Sequence, residues 1–117
     1  MNLEQLAAKM ELNNLTPEVT LDASQEITAG YASDLLSDVL AHGPEGGVLV
    51  TVQIHLNVVA VAVHAGMAAV IFALDRRPDE DTRLRAVEEG VALFAARHDA
   101  FELVGRLYAF GIRGTAR

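Results

Sequence analysis

Cysteine and tryptophan are both absent from this chain, and aromatic residues of any kind make up only 5% of it. Without cysteine there can be no disulfide, no thiolate zinc site and no thiol nucleophile, which fits a reducing compartment. With four Phe and two Tyr set against a hydrophobic content of 51%, the core has to be built from Val, Leu, Ile and Ala. That composition suits helices and strands packed closely through small side chains. No long uninterrupted apolar run is present either. The stretch 58–74 is broken by His64 and Gly66 and is rich in alanine, so it reads as a buried helix followed by a strand, not as a membrane span. Met1 leads directly into an amphipathic segment with Glu4 and Lys9, unlike a secretory leader. A cytoplasmic location is the expectation.

Positive charge is scarce and unevenly placed. The net charge is −7, and residues 1–50 carry eight acids against Lys9 alone, whereas 51–117 balance eight acids with eight arginines. A nucleic-acid partner needs a basic footprint that this distribution lacks. The asymmetry permits contact between the acidic half of one subunit and the Arg-bearing half of another, so a homodimer is expected. The same acids also serve solubility. At 117 residues the chain reads as one domain, 1–112, with a frayed tail over 113–117.

What the chain does have is periodicity. Leu3, Leu6, Ala7 and Met10 fall at helical spacing, so 3–11 reads as an amphipathic helix stopped by Asn13-Asn14. The polar stretch 16–24 has room for a short edge strand. Residues 26–31 read as a strand running into Gly30, after which Ser33 or Asp34 can cap a helix over 35–41 with Leu35, Leu36, Val39 and Leu40 inward. Gly43-Pro44-Glu45-Gly46-Gly47 is a turn. The alternation from Val48 makes 48–53 a strand, and Asn57 can cap a helix over 58–64 despite its valines. A strand over the same residues, hairpinned to 67–74, is the alternative. Pro78 with Asp79 opens a helix closed by Gly90, 91–95 is a strand, and Asp99 with Glu102 opens the last helix. Ala100, Leu103, Val104, Leu107 and Tyr108 form its expected inner face, and Gly111 its end. Strands alternating with helices give an α/β fold, a three-layer α/β/α sandwich with a four- or five-stranded parallel or mostly parallel sheet.

Two places offer binding chemistry. At Thr28, Gly30, Tyr31 and Ser33 a strand passes through small residues into a helix start, where free backbone N–H groups can meet an anion. The plain alternative is an ordinary capped helix with a turn glycine. At Gln53, His55 and Asn57 three hydrogen-bonding side chains recur at period two at the end of a valine-rich strand, which packing alone does not explain. The alternative there is an Asn cap plus rim residues. Ligands of parallel sheets sit beyond the carboxyl ends of the strands, and both motifs are expected at that edge and close together. The four histidines lack metal-ligand spacing, and GxxxxGK[ST], GxGxxG and GxSxG runs are missing. No catalytic residue, metal or cofactor is expected. Asp34 and Asp38 read as a solvated pair, and Arg76-Arg77 as balancing Asp79 to Asp81.

The run Thr28-Ala29-Gly30-Tyr31-Ala32-Ser33-Asp34-Leu35-Leu36-Ser37-Asp38-Val39 resembles the DRTGG-domain family, in particular its small stand-alone branch, similar to the N-terminal domain of HPr kinase/phosphorylase. The resemblance continues through Thr51-Val52-Gln53-Ile54-His55-Leu56-Asn57, Arg76-Arg77-Pro78-Asp79-Glu80 and Ala100-Phe101-Glu102-Leu103-Val104-Gly105-Arg106-Leu107-Tyr108. It implies a three-layer α/β/α accessory domain of the kind found fused to CBS pairs, phosphotransacetylase and HPr kinase. The Asp-Arg-Thr-Gly-Gly run itself is missing, with Gln53 to Asn57 in its place, so contacts made through it are not implied. Kinase activity is not implied either, since the P-loop domain is lacking. The expected function is a non-catalytic regulatory or ligand-sensing module for a small polar metabolite, with nucleotides and phosphorylated compounds among the candidates. The alternative is a structural interaction subunit with no small-molecule ligand. Neither a nucleic acid nor a membrane is an expected partner.

Overall fold

The computed structural model describes residues 1–115. In chain order its elements are α1 (Leu3–Lys9), β1 (Asn13–Asn14), β2 (Gly30–Ala32), α2 (Leu36–His42), β3 (Val48–Thr51), α3 (Asn57–Ala65), β4 (Ala69–Phe72), α4 (Glu80–Glu89), β5 (Ala92–Ala95) and α5 (Ala100–Ala109). They build a five-stranded sheet in the order β1-β5-β4-β3-β2. Strands β2 to β5 are parallel and β1 runs antiparallel on β5, so the sheet is mostly parallel, as the alternation of strands and helices foretells.

Every residue of β3, β4 and β5 is buried. Alternate side chains therefore feed two separate cores. Val48, Val50, Ala69, Ile71, Ala92 and Phe94 face α1 and α5 through Leu3, Leu6, Leu103 and Leu107. Leu49, Val70, Phe72 and Leu93 face α2, α3 and α4 through Val39, Val58, Val59, Ala62 and Ala86. All three crossover helices share one face, where the constant hand of such crossovers puts them when strand order never reverses. Residues 57–65 form a helix despite their valines, because burial of Val58, Val59 and Ala62 outweighs a propensity cost of a few tenths of a kcal/mol each. Gly66 and Gly90 end α3 and α4 in the left-handed conformation. Asp79 and Asp99 cap α4 and α5 by accepting from Thr82 N and Glu102 N, each at 2.9 Å.

Several expectations are corrected. In α2 only Val39 is fully buried, while Leu35 and Leu40 are 64% and 48% exposed, because this seven-residue helix touches the sheet through little more than one residue per turn. Val104 and Tyr108 lie outside the buried face of α5, which Leu103 and Leu107 supply. The edge strand lies at Asn13–Asn14, ahead of the 16–24 stretch, and β2 begins only at Gly30. Asn57 is the first residue of α3, not its cap. Arg77 pairs with Asp75 at 2.9 Å. Arg113, placed by the sequence in a frayed tail, is tied down: its N donates to Thr28 O at 3.0 Å and its O accepts from Gly30 N at 2.9 Å. The last two residues of that expected tail lie outside the described residues.

The segment after β1 is held by a buried threonine. Thr16 Oγ1 accepts Leu93 N at 3.0 Å, extending the pairing along β5 past the point where the strand ends. Arg83 on α4 clamps the same segment through Leu15 O at 3.1 Å and Glu18 Oε1 at 2.8 Å, and also pairs with Glu80. Thr16→Val keeps the shape and removes the acceptor, leaving a buried N–H unpaired. A loss of about 1–3 kcal/mol is expected in urea unfolding at constant m-value. Acid should also weaken the fold. Hydrogen bonds from Arg83 to Glu18, from Ser24 to Asp22 and from Thr82 to Asp79 hold these carboxyls below their ordinary values of 4.5, 3.8 and 3.8. A folded pKa below the unfolded one gives a contribution present above about pH 5 and lost as the pH falls through the folded value. The melting temperature should therefore decline on acidification, and less steeply in Glu18→Gln.

Candidate functional site

The loops at the carboxyl edge of the sheet are bonded to each other. Ser33 N donates to Val50 O at 3.2 Å. Asp34 Oδ1 accepts from both Thr51 Oγ1 at 2.9 Å and Val52 N at 2.8 Å. Bridging two donors at and just past the end of β3 takes Asp34 away from the capping role expected of it, and α2 starts at Leu36 with Leu35 in the cap position and no side-chain cap. Ser33 Oγ accepts Leu35 N at 3.2 Å. The expected row of free N–H groups at this helix start is thus partly consumed within the loop.

The polar triplet after β3 has a local explanation. Thr51 Oγ1 accepts Gln53 N at 3.0 Å, Gln53 Oε1 accepts His55 N at 3.1 Å, and His55 Nδ1 accepts Asn57 N at 3.0 Å. Each side chain takes the amide two residues ahead, so an extended loop with no strand partner satisfies its own backbone. Because Nδ1 accepts, the neutral His55 ring carries its proton on Nε2. The period of two is that of the backbone groups being served. His55 and Asn57 are exposed, and Gln53 is half-buried.

The seven residues picked from the sequence therefore do not converge on one place. Ser33 and Gln53 meet the edge formed by Val50, Thr51 and Asp34. Gly30 pairs with Val48 at the amino end of β3, and at ~3.3 Å per residue the strand puts roughly 10 Å between Val48 and Thr51. Thr28 lies further back, its carbonyl accepting Arg113 N. Tyr31 sends its hydroxyl across to α2, donating to Asp38 at 2.9 Å. Asn57 lines a separate shallow groove between α2 and α3 with Leu36, Leu40, Ala60, Val61 and His64. Gly30 has a structural reason to be glycine: a Cβ there would stand 3.1 Å from Ile112 Cγ2, tighter than most such contacts. The strand order also lacks a reversal, so the crevice that such reversals open in parallel sheets does not form.

A cavity does form, on the other side of β2. It measures about 470 Å³ and lies between α5 and the β2–β3 edge, floored by Gly30, Ala32 and Val50 and walled by Val104, Leu107 and Tyr108. Ala32 is too small to fill the space on the α5 side of β2, whereas at Gly30 that side is taken by Ile112. Arg113 stands at the rim with its guanidinium 3.9 Å from the centre of the Tyr108 ring, and it also bonds Tyr108 O. Sequence reading missed this site because Val104 and Tyr108 have the spacing of core residues, and Arg113 falls after the last helix. Among the described residues no group of three or more His, Asp or Glu side chains is placed to hold a metal ion, and no helix is long and apolar enough to cross a membrane.

No protein-family model matches the chain, and no curated protein matches it. Among solved structures, the chain is similar to the CBS and DRTGG domains of the regulatory region of a Clostridium perfringens pyrophosphatase, a structure complexed with the activator diadenosine tetraphosphate. The TM-score is 0.69 at 10% sequence identity, over 95% of this chain and 47% of that one. This chain thus spans about half the length of that neighbour, and what the two share is the fold.

Proposed function

We propose that this chain is a non-catalytic ligand-sensing module that takes a small molecule with a flat unsaturated ring and an anionic group, a nucleotide being the fitting example, into the cavity beneath α5. The cavity carries the reading. Its volume of about 470 Å³ falls within the ~300–1,000 Å³ usual for small-molecule sites, which combine apolar walls with a few placed polar groups. Val50, Val104, Leu107 and the Tyr108 ring offer the apolar walls. Arg113 offers the remaining donors of a guanidinium already oriented by the ring it stacks on. Regulatory use is supported by the fold it shares with a pyrophosphatase regulatory region whose complex contains a dinucleotide activator. In this reading Gly30 and Tyr31 line the ligand site, and Thr28, Ser33, Gln53, His55 and Asn57 lie outside it. A structural interaction role without a ligand is favoured by a different observation, the 89% exposure of Phe101 on α5.

A thermal-shift screen of the full chain against nucleotides and acyl phosphates tests the reading. A ligand at 100 times its dissociation constant adds about 2.7 kcal/mol, a readily visible rise in melting temperature. Ala32→Phe, at an exposed position on the cavity lining, should abolish the shift, and Arg113→Ala should weaken binding about tenfold or more. His55→Ala should leave it unchanged. A shift lost in His55→Ala and kept in Ala32→Phe would place the ligand at the carboxyl edge and overturn the cavity reading.

A further inference from the structure

α5 carries an apolar stripe on its outer side that the monomer does not use. Phe101, Val104, Gly105 and Tyr108 recur at i, i+3, i+4 and i+7, and with Ala32 and Ala100 they line an open groove of about 540 Å³. Phe101 is 89% exposed and Tyr108 56%. Gly105 sits inside the helix, and a Cβ added there would meet nothing within 4 Å. Internal packing therefore gives no reason for a glycine, which disfavours a helix interior relative to alanine. A surface that approaches the α5 backbone closely would supply one.

We propose that this surface is α5 of a second copy of the chain, packed antiparallel about a two-fold axis near Val104. The stripe is self-complementary. One turn from the axis, Phe101 of each copy lies over the step between the partner's Gly105 and the partner's Tyr108, where the missing side chain leaves room for its ring. Knob and hole on one patch are what an isologous contact requires. The charges beside the stripe select the direction. Glu102 and Arg106 are both exposed and pair within the helix at 3.2 Å. Antiparallel packing sets each Glu102 opposite the partner's Arg106, so four charges alternate in sign. Parallel packing would put the two copies of this charged pair on opposite flanks of the seam, where they do not meet. An unrelated protein would have no cause to match both the spacing of Phe101 from Gly105 and that of Glu102 from Arg106.

Sedimentation equilibrium of the full chain in the micromolar range is expected to show a dimer, and a monomer there overturns the proposal. Glu102→Arg alone and Arg106→Glu alone should each weaken self-association about tenfold or more. Mixing the two variants should restore association as a heterodimer, and the double swap in one chain should restore the homodimer. Gly105→Gln, whose Cβ would meet nothing within 4 Å, should also weaken the dimer while circular dichroism reports a folded chain. A dimer indifferent to Gly105→Gln and to both charge variants lies elsewhere on the surface and overturns the proposal. Association lost in Gly105→Gln but not re-paired by mixing overturns the antiparallel arrangement.

Discussion

Two-sided burial of three four-residue strands is the constraint on which the rest of this molecule depends. No residue of β3, β4 or β5 is more than 2% exposed, so each must fit a helix layer on one side or the other. The two sides are fitted differently. Toward α1 and α5, β4 and β5 present Ala69 and Ala92 around Ile71 and Phe94, continued by Ala73 and Ala96 just past the strand ends, so the alanines fill little space and those helices can lie close. Toward α2, α3 and α4 they present the larger Val70, Phe72 and Leu93. Polar chemistry is displaced to the strand ends. The buried hydroxyl of Thr51 makes the transition by donating to Asp34 and accepting from Gln53.

Much of this was legible because it is local. The alternation from Val48, the glycines at 66 and 90, and the capping aspartate at 99 each specify a feature within a few residues and appear where the sequence put them, whereas Pro78, expected in the first turn of its helix, stands ahead of the cap Asp79. What escaped depends on partners far along the chain. Asn13 and Asn14 read as a helix stop, and they become a strand because Ala95 and Phe94 present an open edge to them. Arg113 reads as a tail, and it is fixed by Thr28 and Gly30. Gly30 reads as a turn residue, whereas it sits inside β2 with Ile112 against it. The polar triplet is a subtler case: its period was correctly seen, but the groups it serves are the loop's own amides, and a residue string does not display those as unpaired.

The proposed cavity and the proposed interface share side chains. Val104 and Tyr108 wall the first and belong to the stripe of the second, and Ala32 lies at the border of both. Anything that reorients Tyr108, including the stacked Arg113 at 3.9 Å, acts on both surfaces. If both are used, ligand binding and self-association are thermodynamically linked, and by reciprocity each shifts the other by the same factor.

The segment from residue 27 to residue 30 receives the chain from two directions. Ile27 N donates to Met1 O at 2.9 Å, and the very next residue, Thr28, accepts Arg113 N at 3.0 Å. Two positions more than a hundred residues apart in sequence are thus anchored to neighbouring points on one strand margin. A fold with this property can be spliced into a surface loop of a host protein, leaving and re-entering the host at nearly the same point without stretching either. It also tolerates re-joining of those positions through a short linker and re-opening at an exposed turn. Its architecture suits a guest module as readily as a separate protein.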